Sequence, residues 1–327
     1  MARSFPLTAL LFVSLAIPLD AGAQDDFRSR YGHASMQTSC EEAAQTLFTR
    51  GLLQLHSFAW SQSRASFEAA AVADPACAMA YWGIAMTWYD GLHEPPDPAA
   101  VAAATAALAA GRAIESKTSR EAAWIEAAFE LFRGHPDTPR IERDRAYSDA
   151  VAAIANTWPD DDEAKIFQAL SLLALARRGE DPALILQAAG ILEPLFDKLP
   201  DHPGIAHYLI HAYDDIGDRE PGLEAARRYA GIAPLMTHAQ HMPSHIFAGL
   251  GMWQESNASN EMALEANPRY YHSLMYIVYG YLQAGQWDEA RRRIAALERF
   301  AASPDGGRRE QRGLHQLQTW LLLETRD

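Results

Sequence analysis

One spacing governs this sequence. Gly217, Gly251 and Gly285 recur at intervals of 34 residues, and Pro234 and Pro268 follow the first two by 17. Matching residues surround them: Ile216-Gly217-Asp218 with Ala226, Tyr229 and Ala233-Pro234, then Leu250-Gly251-Met252-Trp253 with Asn260, Ala263 and Asn267-Pro268. Gly285-Gln286-Trp287 opens the next copy. The N-terminal part repeats the theme with Gly51, Trp60, Phe67, Ala70 and Asp74-Pro75, followed by an Ala- and Trp-containing run over 78–85. The hydrophobic period is helical, and no alternating, strand-like run stands out. A repeat of this length reads as a helix–turn–helix unit. Small residues such as Gly51 and Ala85 let its helices approach, Trp60, Trp253 and Trp287 fill the turn, and Pro75, Pro234 and Pro268 stop the second helix. One unit cannot bury its apolar face alone, so the units must stack into a superhelix.

These motifs resemble the tetratricopeptide repeat family, strongly over 44–90 and 203–300 and weakly over 97–200. The resemblance implies an all-α, right-handed solenoid with a concave groove for ligands, in one repeat domain over 24–327. About five or six repeats are expected. In the weak region helices are read over 121–134, 143–157, 162–177 and 182–198, with Gly134-His135-Pro136 as an extended connection. Residues 314–325 read as a closing helix.

Residues 1–23 read as a secretory signal, with Arg3 as the positive start, an apolar stretch from Leu7 to Leu19, and Ala21-Gly22-Ala23 before Gln24. The stretch is short for a membrane span and no later segment is long enough, so the expected location is secreted or periplasmic. Two cysteines are present, Cys40 and Cys77. By the family pattern each stands shortly before the first helix of consecutive repeats, and export would permit a disulfide between them. No CxxC or Cys/His spacing supports a thiolate zinc site. Lys and Arg total 28 against 42 Asp and Glu, a net charge of −14, which argues against a nucleic-acid partner.

Twelve histidines are present, and three pairs of them are separated by 34 residues: His207 and His241, His211 and His245, His238 and His272. Random placement would give roughly 0.4 such pairs. Duplication of one repeat would produce the same pattern without any ligand. Geometry adds a functional reading, because residues four apart on a helix share a face, so His207 points with His211, and His241 with His245. The resemblance places these first-helix positions in the concave groove. Four to six imidazoles would then converge there, a donor set for copper, zinc or iron. Asp214 could add a carboxylate or orient an imidazole N–H. The family pattern also puts His56 in the groove. If the site is catalytic, Tyr213 or Tyr279 could supply a proton to a small-molecule substrate.

The competing reading is a non-catalytic scaffold whose polar groove holds a peptide or partner protein. His33, His93, His135, His202 and His315 read as ordinary surface or core groups. Pro243, between His241 and His245, either kinks the helix or starts a new one. There is no phosphate-cradling glycine loop, GxSxG elbow or HExxH signature; the segment 207–211 keeps the histidine spacing of the last without its glutamate. Met79, Trp82, Met86, Met275, Tyr276 and Tyr279 read mainly as core. Asn257-Ala258-Ser259 is a formal glycosylation triplet.

Overall fold

The computed structural model describes residue 27 and residues 29–92, 95–176, 180–303 and 307–325. The signal reading over 1–23 and His93 lie outside these residues. Among the described residues no β-strand occurs, and no helix is long and apolar enough to cross a membrane.

Helix-forming stretches broken by Gly, Pro and capping residues produce a run of α-helices. They are α1 (Glu42–His56), α2 (Trp60–Ala73), α3 (Ala78–Met86), α4 (Pro98–Ala113), α5 (Ser119–Glu130), α6 (Arg140–Thr157), α7 (Asp162–Leu175) and α8 (Pro182–Lys198). The second half holds α9 (Pro203–Ile216), α10 (Leu223–Ile232), α11 (Thr237–His241), α12 (Pro243–Gly249), α13 (Trp253–Ala266), α14 (Tyr271–Gln283), α15 (Trp287–Ala301) and α16 (Arg308–Thr325). Each helix packs on the next in sequence, and α1 on α3, α3 on α5, α7 on α9, α12 on α14 and α14 on α16. The protein is therefore an all-α, tetratricopeptide-like solenoid of helical hairpins, with the first helices of successive hairpins side by side.

The repeated glycines are the turns of these hairpins. Gly217, Gly251 and Gly285 have φ of 79°, 74° and 69°, the left-handed conformation that ends a first helix and that other residues adopt only with strain. Second helices α2, α10 and α13 each stop two residues before Pro75, Pro234 and Pro268. Gly51 has another role: a Cβ there would lie 2.8 Å from the Phe67 ring, so its absence lets α1 and α2 touch. Trp60 and Trp253 are half-buried as expected, whereas Trp287 is 44% exposed, because α15 lies near the end of the stack.

Several readings change: the helix read over 121–134 is Ser119–Glu130, that over 143–157 is Arg140–Thr157, and Gly134-His135-Pro136 lies in a run of turns rather than an extended connection. The closing helix starts at Arg308, six residues before the expected Leu314, and runs through Gly313. A Cβ on Gly313 would sit 1.4 Å from the Tyr271 hydroxyl, so this glycine marks a close approach to α14 rather than a helix end. The Asn257-Ala258-Ser259 triplet lies inside α13 with Asn257 only 8% exposed, since α14 packs over it at Gly280. It is no acceptor site on the folded protein.

The core runs along the stack. Phe48, Phe67, Met79, Trp82, Trp124 and Phe167 fill its first part, and Ile205, Tyr208, Tyr229 and Ile246 continue it. Cys40 and Cys77 are joined by a disulfide with Cα atoms 4.6 Å apart. The superhelix curls enough for α1 to touch α9, although they belong to opposite halves of the chain. That contact positions the site.

Candidate metal centre

The concave face encloses a groove of about 1370 Å³, lined by His211, His238, His241, His245 and His272 together with Phe58, Trp60, Tyr270 and Tyr276. Its imidazoles fall into two trios. His207, His211 and His238 form one, and His241, His245 and His272 the other, each with one ring nitrogen per residue within 4.8 Å of the other two.

In the first trio, Nε2 of His207 lies 2.9 Å from Nε2 of His238 and 3.1 Å from Nε2 of His211. In the second, Nε2 of His241 lies 3.0 Å from Nε2 of His245. Two imidazoles on one ion with bonds of 2.0–2.1 Å have nitrogens about 2.9–3.4 Å apart at bond angles near 90–110°. The spacing matches.

The opposite ring nitrogens show which way these rings are protonated. His207 donates Nδ1–H to the carbonyl of His56 at 2.7 Å, and a carbonyl can only accept. His245 donates Nδ1–H to the Asp214 carboxylate at 2.8 Å. His241 Nδ1 lies 2.6 Å from Asn260 Oδ1, and the amide nitrogen of Asn260 is committed to the Ser256 carbonyl at 2.8 Å, so His241 donates as well. His238 Nδ1 pairs with the Tyr270 hydroxyl at 2.9 Å. With Nδ1–H occupied on both His241 and His245, neutral rings present two Nε2 lone pairs to each other. A metal cation between them, or a second proton on His245 held against Asp214, makes that contact favourable. Burial, and then the neighbouring His245 and His272, hold the His241 pKa well below its usual 6.5, which disfavours that proton on His241.

Pro243 does not spoil the spacing. It opens α12, while Met242 keeps right-handed helical angles (φ −54°, ψ −36°) and its N–H bonds the His238 carbonyl at 2.9 Å. His241 and His245 therefore stay one turn apart on nearly continuous backbone.

The other expected residues take different places. Asp214 stands behind His245 and also accepts from Arg219 Nε at 3.0 Å. Burial would raise its pKa, but the His245 hydrogen bond and the charges of His245 and Arg219 outweigh this and lower it. It orients an imidazole and is outside both trios. His56 is fully buried rather than groove-facing, because the curl of the solenoid sets α9 against it. Only its backbone carbonyl serves the site. Tyr213 donates to Glu193, away from the groove lining, and Tyr279 packs between Trp253 and Trp320. Neither lines the groove. Tyr276, read mainly as core, does, with its hydroxyl 3.1 Å from His245 Nδ1.

A third cluster was not foreseen. His56 Nε2 lies 2.9 Å from one oxygen of Glu163 and His202 Nε2 lies 3.0 Å from the other, all three groups being at most 2% exposed. His202 accepts the Ile205 N–H at Nδ1 (3.3 Å), capping α9, and His56 Nδ1 pairs with the Tyr208 hydroxyl (3.0 Å). Burial alone would raise the Glu163 pKa; the charges and hydrogen bonds of His202 and His56 bring it below the usual carboxylate range. Gly204 makes room, since a Cβ there would meet His56 Nδ1 at 2.5 Å. His202 read as an ordinary histidine because its partner is 39 residues away. Phe58 is another residue without a sequence signal. Held at φ 52°, it sets its ring edge-on to His207 at 4.4 Å and stacks on Trp60 at 4.7 Å.

No protein-family model and no curated protein matches the chain. Solved structures do, among them the tetratricopeptide repeat domain of P58(IPK), at 14% identity and a TM-score of 0.25, covering 87% of this chain and 100% of that one. At that score the likeness carries no argument; the repeat architecture stands on the helix pairs themselves. Fold and groove together define a tetratricopeptide-like helical-repeat protein with an imidazole-lined concave face.

Proposed function

We propose that this protein binds a transition metal, copper, zinc or iron, through the groove histidines, and that it does so after export. The observation that carries the reading is the 3.0 Å contact between Nε2 of His241 and Nε2 of His245 while both Nδ1–H groups are engaged elsewhere. Imidazole donors with no thiolate suit zinc and copper, and iron among the rest. The backing of His207, His241 and His245 by a carbonyl, an amide oxygen and a carboxylate supports it further, because such partners fix the tautomer and raise ligand basicity. Export is supported by the Cys40–Cys77 disulfide, which suits an oxidising compartment.

Elemental analysis of the protein purified from its native compartment, followed by zinc and copper titration of chelator-treated protein, tests the reading. Zinc or copper should bind at pH 7.5 with Kd below 10 μM, which corresponds to about 7 kcal/mol. Failure of every transition ion at that level would end it. A second reading has its own observation: the groove, at about 1370 Å³, is far larger than an ion needs and extends to Arg64, Arg140 and Arg312. A peptide or small molecule would fit beside the imidazoles, so the helical-repeat scaffold and the metal site are compatible.

A further inference from the structure

We infer that the groove holds two ions, one in each trio, each site being built across the seam between consecutive repeats. The inference rests on the metal reading above. Its ground is that the two trios are the same construction moved along by one repeat.

His207 and His211 lie 10 and 6 residues before Gly217, and His238 lies 13 before Gly251. His241 and His245 lie 10 and 6 before Gly251, and His272 lies 13 before Gly285. Each trio thus takes two ligands from one first helix and the third from the start of the next repeat. His238 and His241 share α11 with ring centres 6.1 Å apart, yet His238 turns back to His207 while His241 turns forward to His245 and His272. Among the described residues the ring nitrogens come within 4.8 Å of one another as these two separate trios, with no residue of one trio in the other.

The sequence also bounds the series. One repeat before His207, His211 and His238 stand Leu173, Arg177 and Gly204; one repeat after His241, His245 and His272 stand Met275, Tyr279 and Gly306. Neither set contains an imidazole or a carboxylate. The row therefore begins with His207 and ends with His272. The buried cluster adds no third ion, because each of its imidazoles already donates to its own Glu163 oxygen and His202 accepts the Ile205 N–H. It contains a satisfied carboxylate, whereas the trios contain nitrogens facing nitrogens.

Equilibrium dialysis of the full chain against zinc, with cobalt as a spectroscopic probe, counts the sites. Two zinc ions per chain are expected. His211→Ala and His245→Ala should each leave one, and the double variant none. Circular dichroism at unchanged helicity confirms folding, and His272→Ala is the alternative probe of the second trio. One ion in the wild type, lost in either single variant, would overturn the two-site assignment and leave metal binding standing. Three ions, with one lost in Glu163→Gln, would overturn it by making the buried cluster a site. No bound ion in the wild type would instead remove the metal reading itself.

Discussion

The buried polar groups of residues 39–202 and those of residues 203–276 are arranged on opposite principles. In the first region carboxylates sit among donors. Glu121 accepts from the Ser39 and Thr118 N–H groups at 2.7 Å, Asp144 from the Tyr89 hydroxyl at 2.6 Å and Arg140 at 3.2 Å, and Glu163 from two imidazoles. In the second region the carboxylate and carbonyl acceptors stand behind the imidazoles, and the Nε2 atoms meet one another. Both regions contain histidine clusters, so a cluster alone does not mark a metal site. What separates them is where the acceptor sits. An acceptor between two rings completes a structural tie; an acceptor behind a ring, as at His207, His241 and His245, turns its Nε2 toward a neighbouring imidazole.

The contrast breaks most sharply at Glu163. Replacing it by Ala strands two buried N–H donors, and about 3–5 kcal/mol of stability should be lost. His245→Ala in metal-free protein should cost under about 1 kcal/mol, since it removes an unfavourable contact between lone pairs on a partly exposed group. Chemical denaturation of both variants decides this, and equal losses would show that the two clusters are of one kind. The disulfide belongs to the first region's ties as well. Removing it with Cys40→Ser and Cys77→Ser should cost about 3–4 kcal/mol through loop-closure entropy. Two free thiols in the denatured, unreduced wild type would remove that expectation.

Asp214 tests the second region. Asp214→Asn should weaken metal binding about 10–100-fold through His245, while stability without metal changes little. Competition titration against a chromophoric chelator reads it, and unchanged affinity would reduce Asp214 to a surface partner of Arg219. The smallest effect concerns pH. His56 and His241 both have pKa values lowered from 6.5, chiefly by burial, so the unfolded chain takes up their protons first as pH falls. Metal-free protein should be most stable above about pH 6.5 and lose stability progressively between pH 6.5 and 5. A melting temperature flat across that range would contradict the assigned neutral rings.

Much of this was legible in the sequence because a solenoid is nearly one-dimensional: the 34-residue spacing of Gly217, Gly251 and Gly285 gives the hairpins, and the prolines give their ends. The same spacing singled out all six imidazoles of the two trios, because equivalent positions in successive repeats share a face. It could not say that they divide three and three, since that depends on how far one repeat turns against the next. Nor could it place His56, Glu163 and His202 together, for His56 lies 107 residues from its carboxylate partner. Tyr279 shows the limit from the other side. It occupies the repeat position of His245, yet packs between Trp253 and Trp320 at the end of the row. Periodicity determined which residues are equivalent. The superhelical curl that brings α1 onto α9 decided which of them meet, because contacts across a solenoid are set by accumulated twist and not by any local pattern in the chain.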